Sequence, residues 1–184
     1  MPKKKLIWYP GAMYHVTSRG NRRNDIFKEE QDYIVYLDNI KEAVKYYDNN
    51  YKIISYCLMT NHVHIQIKTN DKHLWYLISR VNKSYARNFN NKYNYVGHLF
   101  QSRYNAELIE EDSYVLEASK YIHLNPVRAN MVSNPQEYKW SSYNMYIGKE
   151  KEKLVNSEYI LSYFKNKDRE LYKKYIESSI SSST

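Results

Sequence analysis

His62-Val63-His64 sets two imidazoles two residues apart. On an extended strand both leave the same face, their origins roughly 6 to 7 Å apart, a spacing that can hold one metal ion between the rings. The same spacing also suits two sheet-surface histidines hydrogen-bonded to their neighbours, so the pair alone leaves both readings open. A second constellation is Tyr121-Ile122-His123-Leu124-Asn125-Pro126. On a helix, Tyr121 and Asn125 stand four apart and can point at a common site. A packed tyrosine and a helix-terminal asparagine are the alternative, since Pro126 disfavours helical geometry in the residue before it. A tyrosine hydroxyl, with a reference pKa of about 10, is a poor nucleophile until its proton affinity is lowered or the charge it generates is stabilised. Histidines that hold a metal beside it would supply the second condition.

Those residues need a sheet and a helix to carry them. Alternation places His15, Thr17 and Arg19 on one face of a strand from Tyr14 to Arg19, with Tyr14 and Val16 on the other. His62 to Lys68 alternates more cleanly, with Val63, Ile65 and Ile67 opposite His62, His64, Gln66 and Lys68. Arg103 to Ile109 repeats the pattern, and the apolar run from Tyr51 to Met59 reads as a buried strand. Helical spacing of apolar residues spans Glu29 to Asn49 and again His73 to Tyr93. The order strand, helix, strand, strand, helix, strand predicts an α+β, ferredoxin-like βαββαβ fold whose antiparallel sheet buries one face and offers the other to a ligand. An extra helix follows, N-capped near Asp112 or Ser113 and expected to stop at about Leu124, where Pro126 bars continuation.

Composition bounds the rest. A chain of 184 residues can build one compact core plus an appendage, here divided as residues 1–147 and a C-terminal helical extension over 148–184 with a disordered tail from Ser178. Lysine and arginine outnumber the acids 28 to 20, a net +8 that favours a polyanionic partner. The single cysteine, Cys57, excludes an intramolecular disulfide and a cysteine zinc cluster. Neither a signal-peptide pattern nor a transmembrane-length apolar run occurs, so the expectation is a cytoplasmic, nucleoid-associated protein without membrane contact. There is also no phosphate-binding glycine loop with lysine, and no Gly-x-Ser-x-Gly elbow.

Four blocks occur in order: Tyr14-His15-Val16-Thr17-Ser18-Arg19-Gly20-Asn21, Met59-Thr60-Asn61-His62-Val63-His64, Gly97-His98-Leu99-Phe100-Gln101-Ser102-Arg103-Tyr104 and Tyr121 to Ala129. With Trp140-Ser141-Ser142-Tyr143, they resemble the REP-associated tyrosine transposases, relatives of the single-tyrosine HUH transposases of small bacterial insertion sequences. The resemblance covers about Tyr9 to Tyr146. It implies the HUH endonuclease fold, with the extra helix carrying the catalytic residue. It further implies that Tyr121 is the nucleophile and that His62 and His64 bind a divalent metal, Mg²⁺ or Mn²⁺. Asn125 stands where the insertion-sequence relatives carry a glutamine that completes the metal site. The implied reaction cuts and rejoins single-stranded DNA beside a hairpin through a 5′-phosphotyrosyl intermediate, by a monomer or a homodimer.

Contacts to DNA are expected from His15 and Arg19 on the first strand, from Arg22 and Arg23 in the loop after it, and from Arg103 and Arg128. Arg80, Lys83 and Arg87, spaced three and four apart on the second helix, suit either a phosphate track or a solvated helix face. Two other functions share the same features. One is a hairpin-DNA-binding regulator with little or no cleavage. The other is a metal-dependent nuclease without a covalent intermediate, in which Tyr121 is structural.

Overall fold

The computed structural model describes residues 6–180. The lysine run Lys3 to Lys5 and the tail expected to be disordered at 181–184 lie outside the described residues. Strands β1 (Met13–Arg19), β2 (Tyr51–Leu58), β3 (His62–Thr69) and β4 (Asn105–Ile109) form one sheet in the order β2-β3-β1-β4, with every neighbouring pair antiparallel. Helices α1 (Glu30–Tyr46) and α2 (Leu74–Tyr93) make the two crossovers, which completes the expected ferredoxin-like α+β arrangement. They cover the face that carries Tyr14, Val16, Val63, Ile65 and Ile67, all at most 1% exposed. Fully burying an aliphatic side chain of this kind contributes about 1.5–3 kcal/mol, so this seam fixes strand register: a slip by one residue would turn the histidines into the core.

Most of the tyrosine content is structural. Tyr14, Tyr36, Tyr51, Tyr85, Tyr143, Tyr146 and Tyr172 are fully buried. Their hydroxyls find fixed partners, as where Tyr14 donates to the Ile7 carbonyl at 2.8 Å and Tyr146 to that of Ile54 at 2.6 Å. A buried phenol is stable in this form because its one polar atom is satisfied while the ring fills the core.

Helix α3 (Asp112–Arg128) lies across the other face of the sheet, so that face is not simply open. Gln66, fully buried, donates to the Val115 carbonyl of α3 at 3.1 Å and accepts from Ser55 at 3.0 Å, sealing the β2–β3 side. An open wedge remains over β1 and β4. Two expectations about α3 are corrected. Its N-cap is Glu111, whose backbone carbonyl accepts from Tyr114 and Val115 without a side-chain cap. It also runs through Pro126: the proline ring nitrogen forgoes one helical bond, while Ala129 N–H still reaches the Asn125 carbonyl at 2.9 Å. Asn125 therefore keeps helical geometry and its common face with Tyr121. The fourth strand is likewise shorter than its alternation suggests, because Arg103 sits in a bend before Asn105, outside the sheet ladder.

Past α3 the chain seals the β2 edge. Leu58 N–H bonds the Trp140 carbonyl at 2.9 Å, Ser142 N–H bonds the Tyr56 carbonyl at 3.0 Å, and the Ser142 hydroxyl accepts from Tyr56 N–H at 2.9 Å. An exposed edge would invite foreign strands, and this segment occupies it. Helices α4 (Tyr143–Tyr146), α5 (Glu158–Leu161) and α6 (Arg169–Glu177) follow. Ile160, Leu161, Tyr172 and Ile176 join the same buried cluster as the sheet, so the extension packs on the core. Ser178 to Ile180, expected to be disordered with the tail, instead close hydrogen-bonded turns onto Lys174 and Glu177.

Candidate active site

The wedge between α3 and the β1–β4 half of the sheet is a pocket lined by His15, Thr17, Arg19, His64, Glu107 and Tyr121, with Gln101, Ser102 and Asn105 at its edge. Register explains the convergence. Thr17 pairs with His64, Arg19 with His62 and His15 with Glu107, and side chains opposite one another in an antiparallel ladder share a face. Tyr121 comes from the facing helix. Its ring stands edge-on to His64 at 5.4 Å and to His15 at 5.6 Å between centroids, and it is 41% exposed where the core tyrosines are sealed. His62 completes the group with its ring 4.9 Å from that of His64, and the Arg128 guanidinium lies over the Tyr121 ring at 5.0 Å.

Hydrogen bonding orients the imidazoles. His62 Nδ1 lies 2.6 Å from the Asn61 side-chain oxygen, which only an N–H at Nδ1 satisfies, so the lone pair falls on Nε2. His64 Nδ1 meets His15 Nε2 at 2.8 Å and the Thr17 hydroxyl at 3.2 Å. On the far side of His15, Nδ1 is 4.0 Å from the Glu107 carboxylate, which favours a proton there. The arrangement consistent with all three is His15 protonated at Nδ1 and His64 donating from its own Nδ1, leaving His64 Nε2 as an acceptor. Burial, helped by the Arg19 charge, pushes His62 down to about 4. Burial, His15, His62 and Arg19 together push His64 down to about 2. His15 is lowered by burial against the opposing pull of Glu107. At neutral pH all three rings are uncharged, the form in which imidazole binds a metal.

Asn125 lies one turn beyond Tyr121, 8% exposed, with its side-chain nitrogen buried and without a hydrogen-bond partner. Amide oxygen and nitrogen exchange by a flip, so an oxygen can take that orphaned position, as a metal ligand would require. Among the described residues, no three His, Cys, Asp or Glu side chains converge as a metal site. Two neutral imidazoles and the Asn125 amide are the side chains here that could hold a divalent ion.

Two loops frame the pocket and account for two of the sequence blocks. Asn21 N–H bonds the Leu99 carbonyl at 2.8 Å and Gln101 N–H bonds that of Arg19 at 2.9 Å, with Gly20 bridged to Phe100 between them. Gly20 is obligatory for steric reasons: a Cβ there would meet the Asn24 carbonyl oxygen at 2.1 Å. Asn61 joins the arginine loop to the histidine pair, donating to the Arg23 carbonyl at 3.1 Å while its oxygen accepts from His62.

Thus the structure brings His15, Arg19, His62, His64, Tyr121 and Arg128 together. Arg22 and Arg23 are exposed on the adjoining turn with positive φ, 53° and 62°, and do not line the pocket. Arg103 opens onto a different groove beside α2. Thr17 and Glu107 belong to the site but were not singled out by spacing. Both lie on polar strand faces, and only the register sets Glu107 opposite His15.

Likeness to known proteins defines the class. The family model of IS200-like transposases matches residues 9–125, so this chain belongs to that family. A solved REP-associated tyrosine transposase bound to a REP hairpin has the same fold, with a TM-score of 0.66, 15% identity, and coverage of 85% of this chain and 94% of that one. A putative transposase from Deinococcus radiodurans is more distantly similar, with a TM-score of 0.45, 16% identity, and coverage of 66% of this chain and 95% of that one. No curated protein matches the chain. Among the described residues, no helix is long and apolar enough to cross a membrane.

Proposed function

We propose that this transposase-family protein cleaves and rejoins single-stranded DNA beside a hairpin, with Tyr121 as the covalent nucleophile. The observation that carries the reading is the exposed Tyr121 ring set against both His64 and His15 in one pocket. The Tyr121 oxygen attacks the phosphorus and loses its proton. The bond to the preceding 3′-oxygen breaks, and that oxygen leaves as a free 3′-hydroxyl. The product is a 5′-phosphotyrosyl strand that retains the phosphodiester energy, so a second 3′-hydroxyl can displace Tyr121 and seal a new joint without ATP.

His62, His64 and Asn125 would hold Mg²⁺ or Mn²⁺, which when bound supplies Lewis-acid stabilisation of charge on a non-bridging phosphate oxygen. Arg19 adds a fixed positive charge at the same end of the sheet. Arg128, over the Tyr121 ring, adds a second positive charge beside the phosphate that Tyr121 would attack. Arg22 and Arg23 meet phosphates outside the pocket. A hairpin as the recognised element is supported by the relative of like fold that is bound to one. A monomer or homodimer working at the nucleoid suits this activity and the +8 charge.

The test incubates the protein with hairpin-bearing single-stranded DNA and Mg²⁺ or Mn²⁺, then denatures it. A protein band shifted by attached DNA is the expected result. Cleavage that yields a free 5′-phosphate, with no adduct at any time, would replace this reading with a hydrolytic one.

A further inference from the structure

Outside the catalytic pocket, α2 carries an exposed face that the site does not use. Trp75, Ser79, Lys83 and Arg87 follow one another at intervals of four and line two adjoining grooves at once. Over the 12 helical rises from Trp75 to Arg87 that row is about 18 Å long, room for several nucleotides. Trp75 and Tyr76 are 43% and 48% exposed, and the Arg80 guanidinium stacks 3.6 Å from the Tyr46 ring centroid beside them. No Asp or Glu among the described residues lines either groove. A merely solvated helix face would not need large exposed aromatics or such a one-sided charge.

The grooves also connect to the catalytic pocket. Gln101 and Ser102 line both that pocket and the nearer groove, and Arg103 stands next along the path. The turn is held in place from α2: buried Asn82 donates to the Arg103 carbonyl at 3.3 Å and to the Ser18 hydroxyl of β1 at 2.8 Å. A strand entering or leaving at Tyr121 thus meets a continuous surface of cations and π-faces.

We propose that the face of α2 from Trp75 to Arg87, reached through Gln101 to Arg103, binds the single-stranded DNA that extends from the catalytic pocket, with Trp75 as a base-stacking platform and Lys83 and Arg87 on phosphates. The occupant follows from charge complementarity, from continuity with the pocket, and from the pairing of exposed rings with basic residues that suits unpaired bases and not duplex. This inference rests on the DNA-cleaving reading for its substrate, but its test needs no cleavage.

The full-length protein, in EDTA, is titrated into labelled oligothymidylates of 4, 8 and 12 nucleotides and into a blunt hairpin without extension. Affinity should rise with oligomer length. Trp75→Ala should weaken the 12-mer roughly ten-fold or more, in line with the loss of one stacked base, and remove much of the tryptophan quenching on binding. Lys83→Ala/Arg87→Ala should lower the slope of log affinity against log salt by about 1.4, or 0.7 for each single-strand phosphate released. Lys151→Ala/Lys153→Ala removes the same charge elsewhere and serves as control. The proposal is overturned if the α2 variants behave like this control, or if they weaken the blunt hairpin as much as the 12-mer. Normal cutting by Tyr121→Phe would instead sink the nucleophile assignment and leave these affinities as they stand.

Discussion

Two polar clusters lie on opposite sides of α3 and differ in what they leave unsatisfied. On the sheet side, Asn61, His62, His64, His15 and Glu107 use their inner nitrogens and oxygens on one another and leave imidazole lone pairs facing a pocket beside an exposed tyrosine. On the far side, His123 is fully buried. Its Nδ1 lies 2.6 Å from the Tyr172 hydroxyl, its Nε2 lies 2.7 Å from the Ser142 hydroxyl, and Tyr172 is also 2.7 Å from the Ser119 hydroxyl. That second network ties α3 to α6 and to the segment covering the β2 edge. Burial pushes His123 down to about 3, much as it lowers His62 and His64, so a depressed histidine marks both a closed structural network and one that borders an open pocket. What separates them is spare valence facing solvent.

The largest expected contrast sets His62→Ala against His123→Ala. His62→Ala should reduce DNA cleavage at least about a hundred-fold with a small change in melting temperature, since it removes a proposed metal ligand that is only partly buried. His123→Ala should cost about 3 kcal/mol of folding stability, having opened a cavity and broken two buried hydrogen bonds. Activity assays and thermal melts on both proteins check this. Equal loss of stability in the two would erase the distinction between the clusters.

Tyr172→Phe is the gentler version, removing one oxygen and leaving His123 and Ser119 each short of a partner. A loss of about 1–3 kcal/mol in urea titration is expected, with cleavage per folded molecule retained. A Tyr172→Phe protein that is stable but inactive would mean that α6 acts on α3 beyond holding it in place.

Acidification should weaken both clusters, and the share due to His123 can be isolated. His123 is neutral when folded and titrates near 6.5 when unfolded, so its neutral form carries no penalty above that pH. As pH falls from about 6.5 toward 3, the unfolded chain takes up a proton the folded chain refuses, and stability drops by about 1.4 kcal/mol per pH unit from this one group. A His123→Gln variant should show a correspondingly shallower decline between pH 6 and 4. An unaltered slope would mean that the ring is charged in the fold.

The smallest effect concerns the arginine loop. Arg22→Ala/Arg23→Ala should flatten the salt dependence of hairpin binding by up to about 0.7 to 0.9 for each phosphate no longer neutralised, leaving both clusters intact. An unchanged slope would remove this loop from the interface.

Period-two alternation made the strands and their two faces legible, and the i, i+4 relation of Tyr121 and Asn125 survived because α3 passes through Pro126. What stayed hidden depends on contacts between distant segments. Register alone sets Glu107 against His15. Alternation also carried the fourth strand too far, since Arg103 keeps the pattern without the ladder. Nothing local told that Trp140 to Ser142 would pair with an edge strand, or that Tyr172 of the expected appendage would reach His123.

The role of Tyr121 is tested most directly by digesting the protein after reaction with labelled hairpin DNA and locating the attached nucleotide by mass spectrometry. A covalent nucleophile at this position predicts a single adduct, on the peptide containing Tyr121, and none in the Tyr121→Phe protein, which should still bind DNA. An adduct on any other tyrosine would contradict the assignment, even if the Tyr121→Phe protein were inactive.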